Sequence, residues 1–318
     1  MSNRIRLFLI GSIVIVLAVA SAWAWRQYHV RPVSVGGMVQ VNAVNVANVN
    51  AAPSNDPVVL AAGDIATCGI KGSAATAAIL GRTEGTVLAL GDEAYPIGSA
   101  ANFKDCYGPT WGQYRDRTRP VPGNHESLTK NASAYFSYFG EAAGDPSKGY
   151  YSYELGTWHV VALNSNCSDI GGCGADSPEV KWLQTDLAAH PTSCTLAYWH
   201  VPRFSSGLHG SNESMQTMWQ TAINGGVDVV LNGHDHLYER FAPMDENGNA
   251  SSVGTREFVV GTGGTNHYNF IHVLSTSQAR DNTSFGVLKL ALHPAGYDWQ
   301  FLPIDGASFQ DSGSGACH

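Results

Sequence analysis

Two histidines lie one residue apart at the end of a strongly apolar run. His234 and His236 follow the segment VDVV (227–230) within LNGHDHLYERF (231–241), and Asp235 separates them. An imidazole at a strand end serves as a proton donor or acceptor, or as a ligand for a metal ion. A lone histidine there is usually only solvated or hydrogen-bonded. Its chemistry therefore depends on which other side chains the fold brings to the same place.

Similar polar clusters follow other apolar runs of the chain. They are GDIA with Asp64, GDEAY with Asp92 and Tyr95, PGNHE with Asn124, His125 and Glu126, and YWHVP with His200. One Gly-Asp pair after a strand is more often a turn than a ligand, because aspartate favours caps and turns. Five clusters of carboxylates, imidazoles, an amide and a phenol would repel one another or lose solvation, whereas bound cations would stabilise them. The set therefore predicts a metal site.

The types of donor indicate which metals the site binds. Imidazole and carboxylate groups suit first-row transition metals. The clusters contain no cysteine and the chain contains no CxxC pair, which argues against structural zinc and iron–sulfur centres. A carboxylate bridges two ions, and a two-metal centre clamps the attacking and leaving oxygens of a displacement at phosphorus.

Six continuous apolar runs are predicted to be strands, and the polar clusters lie at their ends. Runs of this kind suit strands that are buried on both faces. They cover residues 58–64, 86–92, 158–166, 194–200, 227–236 and 257–264. Since ligands gather at the carboxyl ends of strands in α/β sheets, these clusters are expected to meet at one sheet edge.

Helices are predicted between several of these strands. Residues 73–82 are rich in alanine, and residues 177–190 begin with Ser177 as N-cap and proline at the first helical position. Strands that alternate with helices predict an α/β layered domain. The late segments GVLKLAL and YDWQFLPI predict an antiparallel hairpin.

The five clusters, in order, resemble the sequence blocks of a known family. GD, GDxxY, GNHE, a strand-end histidine and GHxH are similar to the blocks of the calcineurin-like metallophosphoesterases, and they span residues 63–236. The GDxxY block, here Gly91 to Tyr95, is similar to that of the purple acid phosphatases. The resemblance implies a four-layer αββα fold, in which two mixed sheets pack face to face and helices cover the outside.

The resemblance also implies a ligand set. The first ion would be bound by Asp64, Tyr95 and His236, the second by Asn124, His200 and His234, and Asp92 would bridge the two. The family holds Fe(III) at the tyrosine site and Fe(II), Zn(II) or Mn(II) at the second. An anionic phenolate that favours a trivalent ion agrees with this assignment.

The expected reaction is the hydrolysis of phosphate monoesters of small molecules by a hydroxide that the metals provide. By resemblance, His125 donates a proton to, or hydrogen-bonds, the leaving group or phosphate, and His209, nine residues after His200, binds substrate. Glu126 either orients His125 or is an exposed residue at a helix start. Arg203 either meets phosphate or forms a surface salt bridge. Asp235 is expected to orient its neighbours or form a turn.

Two other functions remain open at this stage. A phosphodiesterase or nucleotide pyrophosphatase would use the same two metals, because the motifs specify chemistry at phosphorus and not the leaving group. A non-catalytic surface binding protein would keep a vestigial metal site. That alternative fits less well, because structural sites are usually closed by four ligands, whereas seven candidates and two spare histidines leave positions open for substrate.

Composition and the N-terminus bear on the compartment. The net charge of −8 with 14% charged residues argues against nucleic acid as a partner. Residues 1–29 resemble an export signal that is either cleaved or kept as a membrane anchor. Residues 30–56 are predicted to be a linker and residues 57–318 the catalytic domain. The protein is therefore expected to be secreted, periplasmic or anchored at the cell surface.

The six cysteines fit a chain that folds outside the cytoplasm. Cys167 and Cys173 bracket a short loop and are predicted to form a local disulfide. The other four cysteines allow three pairings, and the sequence does not choose among them.

Overall fold

Within residues 55–318, which a computed structural model describes, thirteen strands form two mixed sheets. The predicted export segment and residues 30–54 of the predicted linker lie outside the described residues. The strands are β1 Val58–Ala62, β2 Thr86–Ala89, β3 Thr118–Pro120, β4 Tyr151–Leu155, β5 Trp158–Ala162, β6 Thr195–Tyr198, β7 Val229–Asn232, β8 Tyr238–Met244, β9 Thr255–Val260, β10 Ser277–Asp281, β11 Gly286–His293, β12 Gly296–Pro303 and β13 Ser312–Ala316. The helices are α1 Gly72–Arg82, α2 Ala100–Asn102, α3 Ser133–Phe139, α4 Pro178–Ala189 and α5 Gln216–Asn224.

The order of strands differs between the two sheets. One sheet has the order β13-β12-β11-β1-β2-β3, and the other has the order β10-β8-β9-β7-β6-β5-β4. Strands β1, β2 and β3 are parallel to one another, as are β5, β6, β7 and β9. The predicted late hairpin is confirmed as β11 and β12, and β11 pairs antiparallel with β1.

The apolar runs form strands because both of their faces are buried. Successive residues of β7 show this directly: Val229 and Leu231 belong to the core between the sheets, whereas Val230 belongs to the core under the outer helices. Val160 and Val161 of β5 divide in the same way. All six predicted strands are present. The larger core joins the two sheets and extends to α1 and α3, and the smaller core lies under α4 and α5, which accounts for the predicted four layers.

Helix α4 begins where its sequence signals predict. The Ser177 side chain accepts a hydrogen bond from the Val180 backbone N–H at 3.3 Å, and Pro178 occupies the first helical position. Leu183 and Leu187 face the core that α4 and α5 share with the outer face of the second sheet. This burial holds the helix against the strands that end at the polar clusters.

The two sheets meet at the carboxyl ends of their parallel strands. The backbone N–H of Gly63, directly after β1, donates to the carbonyl of Val260 at the end of β9 at 2.9 Å. The N–H of Gly263 donates in turn to the Gly63 carbonyl at 2.9 Å. These bonds bring the polar clusters of both sheets to one edge of the fold.

Three disulfides join cysteines of the described residues. The predicted local bridge between Cys167 and Cys173 is confirmed. The sequence left the other pairings open, and they are Cys68–Cys106 and Cys194–Cys317. Within residues 55–318, no helix is long and apolar enough to cross a membrane.

The long-range disulfide is predicted to stabilise the fold more than the local one. Cys194 and Cys317 are separated by 123 residues, and Cys167 and Cys173 by 6. Loop-closure entropy then predicts losses of about 5 kcal/mol for Cys194→Ala/Cys317→Ala and about 2 kcal/mol for Cys167→Ala/Cys173→Ala. Denaturant unfolding of both double variants measures the difference, and equal losses would contradict it.

Candidate metal centre

Each predicted site residue directly follows a strand or lies in the loop after it. The strand ends contribute Asp64 after β1, Asp92 and Tyr95 after β2, Asn124 and His125 after β3, His200 after β6, and His234 and His236 after β7. Asp64, Asp92, His200 and His236 are almost completely buried. These polar side chains therefore lie at the edge where the parallel strands of both sheets end.

Three of these residues adopt a backbone conformation that is unusual for residues other than glycine. The φ angles are 60° for Asp64, 52° for Asp92 and 72° for His234. Left-handed conformations of this kind cost about 1–3 kcal/mol each and persist where the surrounding structure imposes them. Here they occur at the first turn after β1, β2 and β7, where the donor side chains project into the centre.

The first group of donors surrounds the Tyr95 hydroxyl. That oxygen lies 2.9 Å from Asp64 Oδ1, 3.0 Å from Asp92 Oδ2 and 3.1 Å from His236 Nε2. The other nitrogen of His236, Nδ1, lies 2.9 Å from the Asn266 carbonyl. Because a carbonyl only accepts, Nδ1 carries the proton and Nε2 presents a lone pair to the centre.

The second group of donors surrounds His200. Its Nδ1 donates to the Leu90 carbonyl at 2.8 Å, which leaves Nε2 facing Asn124 Oδ1 at 3.1 Å and Asp92 Oδ2 at 3.3 Å. The His234 ring packs edge-on against the His200 ring with centroids 5.1 Å apart. Asn124 and His234 thus both lie beside His200, and Asp92 is the carboxylate that approaches its Nε2.

Asp92 belongs to both groups through the same oxygen, Oδ2. Its other oxygen, Oδ1, accepts the backbone N–H of His125 at 2.8 Å, which fixes the carboxylate in place. Glycine is required on both sides of this contact. A Cβ on Gly123 would collide with the Asp92 carboxylate, and a Cβ on Gly91 would lie only 2.6 Å from the His200 ring.

The carboxylates and imidazoles of the centre shift the pKa values of one another. Burial raises the pKa of Asp92, but His200 and His125 outweigh it and hold that pKa well below its usual range. Burial lowers the pKa of His200, and Asp92 outweighs it and raises that pKa to about 9. His234 is the opposite case, because burial and the charge on His200 lower its pKa to about 3. The negative oxygens therefore favour a cation at His200 Nε2, whether a proton or a metal ion.

The donor set fits metal ions. One phenol proton stands among Asp64 Oδ1, Asp92 Oδ2 and His236 Nε2, so most of these close contacts join lone pairs to lone pairs. Burial and both carboxylates raise the pKa of Tyr95 well above its usual value, so only a cation would make it a phenolate. Asp64, Asp92 and His200 offer ligand atoms within 4.8 Å of one another. Oxygen and imidazole donors in this arrangement suit first-row transition metals.

His125 lies beside the first donor group and is partly exposed. Its Nδ1 donates to the Pro96 carbonyl at 2.6 Å, and its Nε2 lies 3.8 Å from Asp92 Oδ2. The ring packs against Tyr95 with centroids 4.4 Å apart, and 31% of the side chain is exposed. Nε2 is thus the nitrogen available to a molecule that enters the centre.

His209 lies on the other side of the centre and is also exposed. Its ring stacks on the His234 ring with centroids 4.4 Å apart, and its backbone N–H donates to Asp235 Oδ1 at 2.9 Å. Asp235 is buried and also accepts from Ser205. The carboxylate of Asp235 therefore bonds the loop that carries His209.

Glu126 has a role that the sequence did not resolve. It is fully buried, and its carboxylate accepts backbone N–H groups from Asp92 at 2.9 Å, Ala94 at 3.2 Å and Gly123 at 3.0 Å. It thus joins the GDEAY and GNHE loops directly and is not an exposed residue at a helix start. Burial and the neighbouring Asp92 charge raise the pKa of Glu126 to about 7.

Other residues near the centre were missed or left open by the sequence. The Tyr268 ring stacks on the His236 ring at 3.9 Å, and no sequence motif marks it. The glycine-rich turn GTGG (261–264) after β9 approaches the end of β1. The Thr265 N–H that follows it donates to the Asp64 carbonyl at 3.1 Å. Arg203 points elsewhere, because its guanidinium forms a salt bridge with Glu213 at 2.9 Å.

Comparison with known sequences finds plant phosphatases. Purple acid phosphatase 15 of Arabidopsis thaliana is 31% identical over 173 residues, which cover 48% of this chain and 32% of that protein. Purple acid phosphatase 21 of the same plant is 28% identical over 220 residues, which cover 60% of this chain and 49% of that protein. The matched part of the chain spans about a third to a half of the length of these relatives.

Comparison with solved structures confirms the fold class. The purple acid phosphatase PPD1 from yellow lupin (Lupinus luteus) seeds has a TM-score of 0.66 at 20% identity, over 82% of this chain and 53% of that one. GAP50, described as the anchor in the inner membrane complex of Plasmodium, has a TM-score of 0.65 at 13% identity, over 83% of this chain and 89% of that one. At these identities the likeness concerns the fold alone.

The family assignment follows from the sequence itself. The model of the calcineurin-like phosphoesterase family matches residues 41–238, a range that contains all seven predicted metal ligands. The named plant relatives are purple acid phosphatases, as the GDxxY block predicts. The chain therefore belongs to the calcineurin-like phosphoesterase family.

Proposed function

We propose that this protein is an exported phosphatase that hydrolyses phosphate monoesters at a centre of two metal ions. One observation carries the proposal: Asp92 Oδ2 lies within 3.3 Å of both the Tyr95 hydroxyl and His200 Nε2, at the junction of two donor groups. A carboxylate oxygen shared in this way matches the bridging position of a two-metal phosphoesterase. The family assignment supports the same chemistry.

The two donor groups define the two metal sites of the proposal. The first ion would be Fe(III), held by Asp64, Tyr95 and His236, and the second Fe(II), Zn(II) or Mn(II), held by Asn124, His200 and His234, with Asp92 common to both. When bound, the ions supply Lewis acidity toward the phosphoryl oxygens and lower the pKa of water. The carbonyls of Leu90 and Asn266 orient His200 and His236 by accepting their Nδ1 protons.

Two histidines act on the substrate in this proposal. His125 donates the proton to the leaving oxygen from Nε2 of its imidazolium form, while its Nδ1–H stays bonded to the Pro96 carbonyl. His209 hydrogen-bonds the phosphate, since its ring lies beside His234 and its loop is fixed by Asp235. The two exposed imidazoles thus flank the buried donors from opposite loops.

The same proposal covers domain organisation and compartment. Residues 57–318 would form the catalytic domain, and residues 1–29 would direct export and then be cleaved or kept as a membrane anchor. Three disulfides support folding in an oxidising compartment. The substrate would be a small phosphoester.

The fold by itself does not distinguish catalysis from a binding role. GAP50 shares the fold and is described as an anchor in a membrane complex. What favours catalysis here is the site, because burial of Asp64, Asp92 and His200 is destabilising without a bound cation. His125 and His209 also leave nitrogens available to a substrate, whereas a structural metal site would be closed.

Removal of the shared carboxylate is predicted to abolish the centre. Asp92→Ala should lose both ions and reduce phosphatase activity to background, because both donor groups contain this oxygen. Metal content and turnover of 4-nitrophenyl phosphate measure the two effects. Asp228→Ala is the matched control, since Asp228 is a buried carboxylate that caps the opposite end of β6. Asp92→Ala protein with a full metal content would refute the bridging position.

Loss of His125 is predicted to slow the reaction without loss of metal. His125→Ala should lower kcat on alkyl phosphates by about 10²-fold, because the leaving alkoxide then lacks a proton donor. The effect should shrink on 4-nitrophenyl phosphate, whose leaving group needs no proton. His190→Ala, at a partly exposed histidine that stacks on His159, is the control. An equal loss on both substrates would show that His125 does not donate the proton to the leaving group.

A further inference from the structure

Two large apolar side chains are exposed in the loops that bond to His125. Ile97 is 44% exposed and directly follows Pro96, whose carbonyl accepts the Nδ1 proton of His125. Leu128 is 63% exposed, and its backbone N–H donates to the His125 carbonyl at 3.3 Å. The two loops are packed together, because a Cβ on Gly98 would lie 2.6 Å from the Glu126 Cα. Ile97 and Leu128 thus belong to the two loops that hold His125, and this pair of exposed side chains is called the apolar shelf.

In the proposed binding mode, the leaving group of the substrate would lie next to the shelf. With the proposed ions bound, the donor groups would hold the phosphoryl group, and the leaving oxygen would face His125 Nε2, which is 3.8 Å from Asp92 Oδ2. The carbon chain beyond the leaving oxygen then extends outward past His125. In this binding mode the chain would run beside the loops that carry Ile97 and Leu128.

The hydrogen bonds and ion pairs of the centre also argue against a charged leaving group. Within residues 55–318, the recorded side-chain partners of Asp64, Asp92, His125 and His200 include no lysine or arginine. The nearby Arg203 is bound to Glu213. A second phosphate on the leaving group would thus gain no ion pair from these residues, whereas an alkyl group would cover apolar surface.

The geometry points to phosphate monoesters of apolar alcohols as the preferred substrates, with Ile97 and Leu128 as the residues that contact the alkyl chain. This inference rests on the proposed phosphatase function and adds a substrate class to it. Full burial of one methylene group strengthens binding about fourfold. On an open shelf, about half of that free energy is expected, which corresponds to about twofold per methylene.

A series of primary alkyl phosphates tests the inference. Ethyl, butyl and hexyl phosphate have leaving groups of nearly equal basicity, so differences in kcat/KM report contacts with the chain and not the chemistry of bond cleavage. Used below its micelle concentration, hexyl phosphate should exceed ethyl phosphate in kcat/KM by about 16-fold, from four added methylenes. Ile97→Ser/Leu128→Ser should reduce this ratio to about 2.

Two exposed apolar residues elsewhere supply matched controls. Leu208 is 53% exposed beside His209, on the other side of the centre, and Val253 is 68% exposed after β8. Leu208→Ser and Val253→Ser should leave the hexyl-to-ethyl ratio at its wild-type value. An equal fall of the ratio in Leu208→Ser would overturn the assignment of the shelf to the loops around His125.

The outcomes separate this inference from the function on which it rests. If wild-type protein hydrolyses ethyl phosphate but the series is flat, the apolar substrate class is overturned and the phosphatase proposal stands. If the metal-loaded protein hydrolyses none of the three esters, the phosphatase proposal is overturned as well. A rising series that Ile97→Ser/Leu128→Ser leaves unchanged would overturn the assignment of the contact residues.

Discussion

The contact of Asp92 Oδ2 with both donor groups is the interaction on which the site depends. Tyr95 and His200 approach this one oxygen from the two sides, at 3.0 Å and 3.3 Å. Separation of the groups by even one side-chain length would leave two unrelated clusters. The backbone N–H of His125, the close approach of Gly123 and the carboxylate of Glu126 all hold the Asp92 loop in this position.

The fold offsets the cost of this arrangement through its two cores. Asp64, Asp92 and His234 keep left-handed backbone conformations, and the carboxylates are buried, so the isolated loops would not adopt this geometry. The parallel strands of both sheets end at the same edge, and the bond from Gly63 to Val260 joins the two edges. Bound cations would relieve the remaining repulsion between lone pairs, which couples metal binding to stability.

Much of this architecture is predictable from the sequence. Continuous apolar runs specified the six strands, because both faces of these strands are buried, and Ser177 with Pro178 specified the start of α4. The five motif blocks specified which residues converge. Long-range contacts without a local signal were not predictable: the pairing of Cys194 with Cys317, the stacking of Tyr268 on His236, and the three backbone bonds of Glu126.

The metal content and visible spectrum of active protein purified from its own host test the central claim most directly. Two ions per chain are expected, one of them iron, with a visible absorption band that Tyr95→Phe abolishes, because a Tyr95 phenolate bound to iron would be the source of the band. Fully active protein that contains a single ion per chain would contradict the claim that Asp92 joins two metal sites.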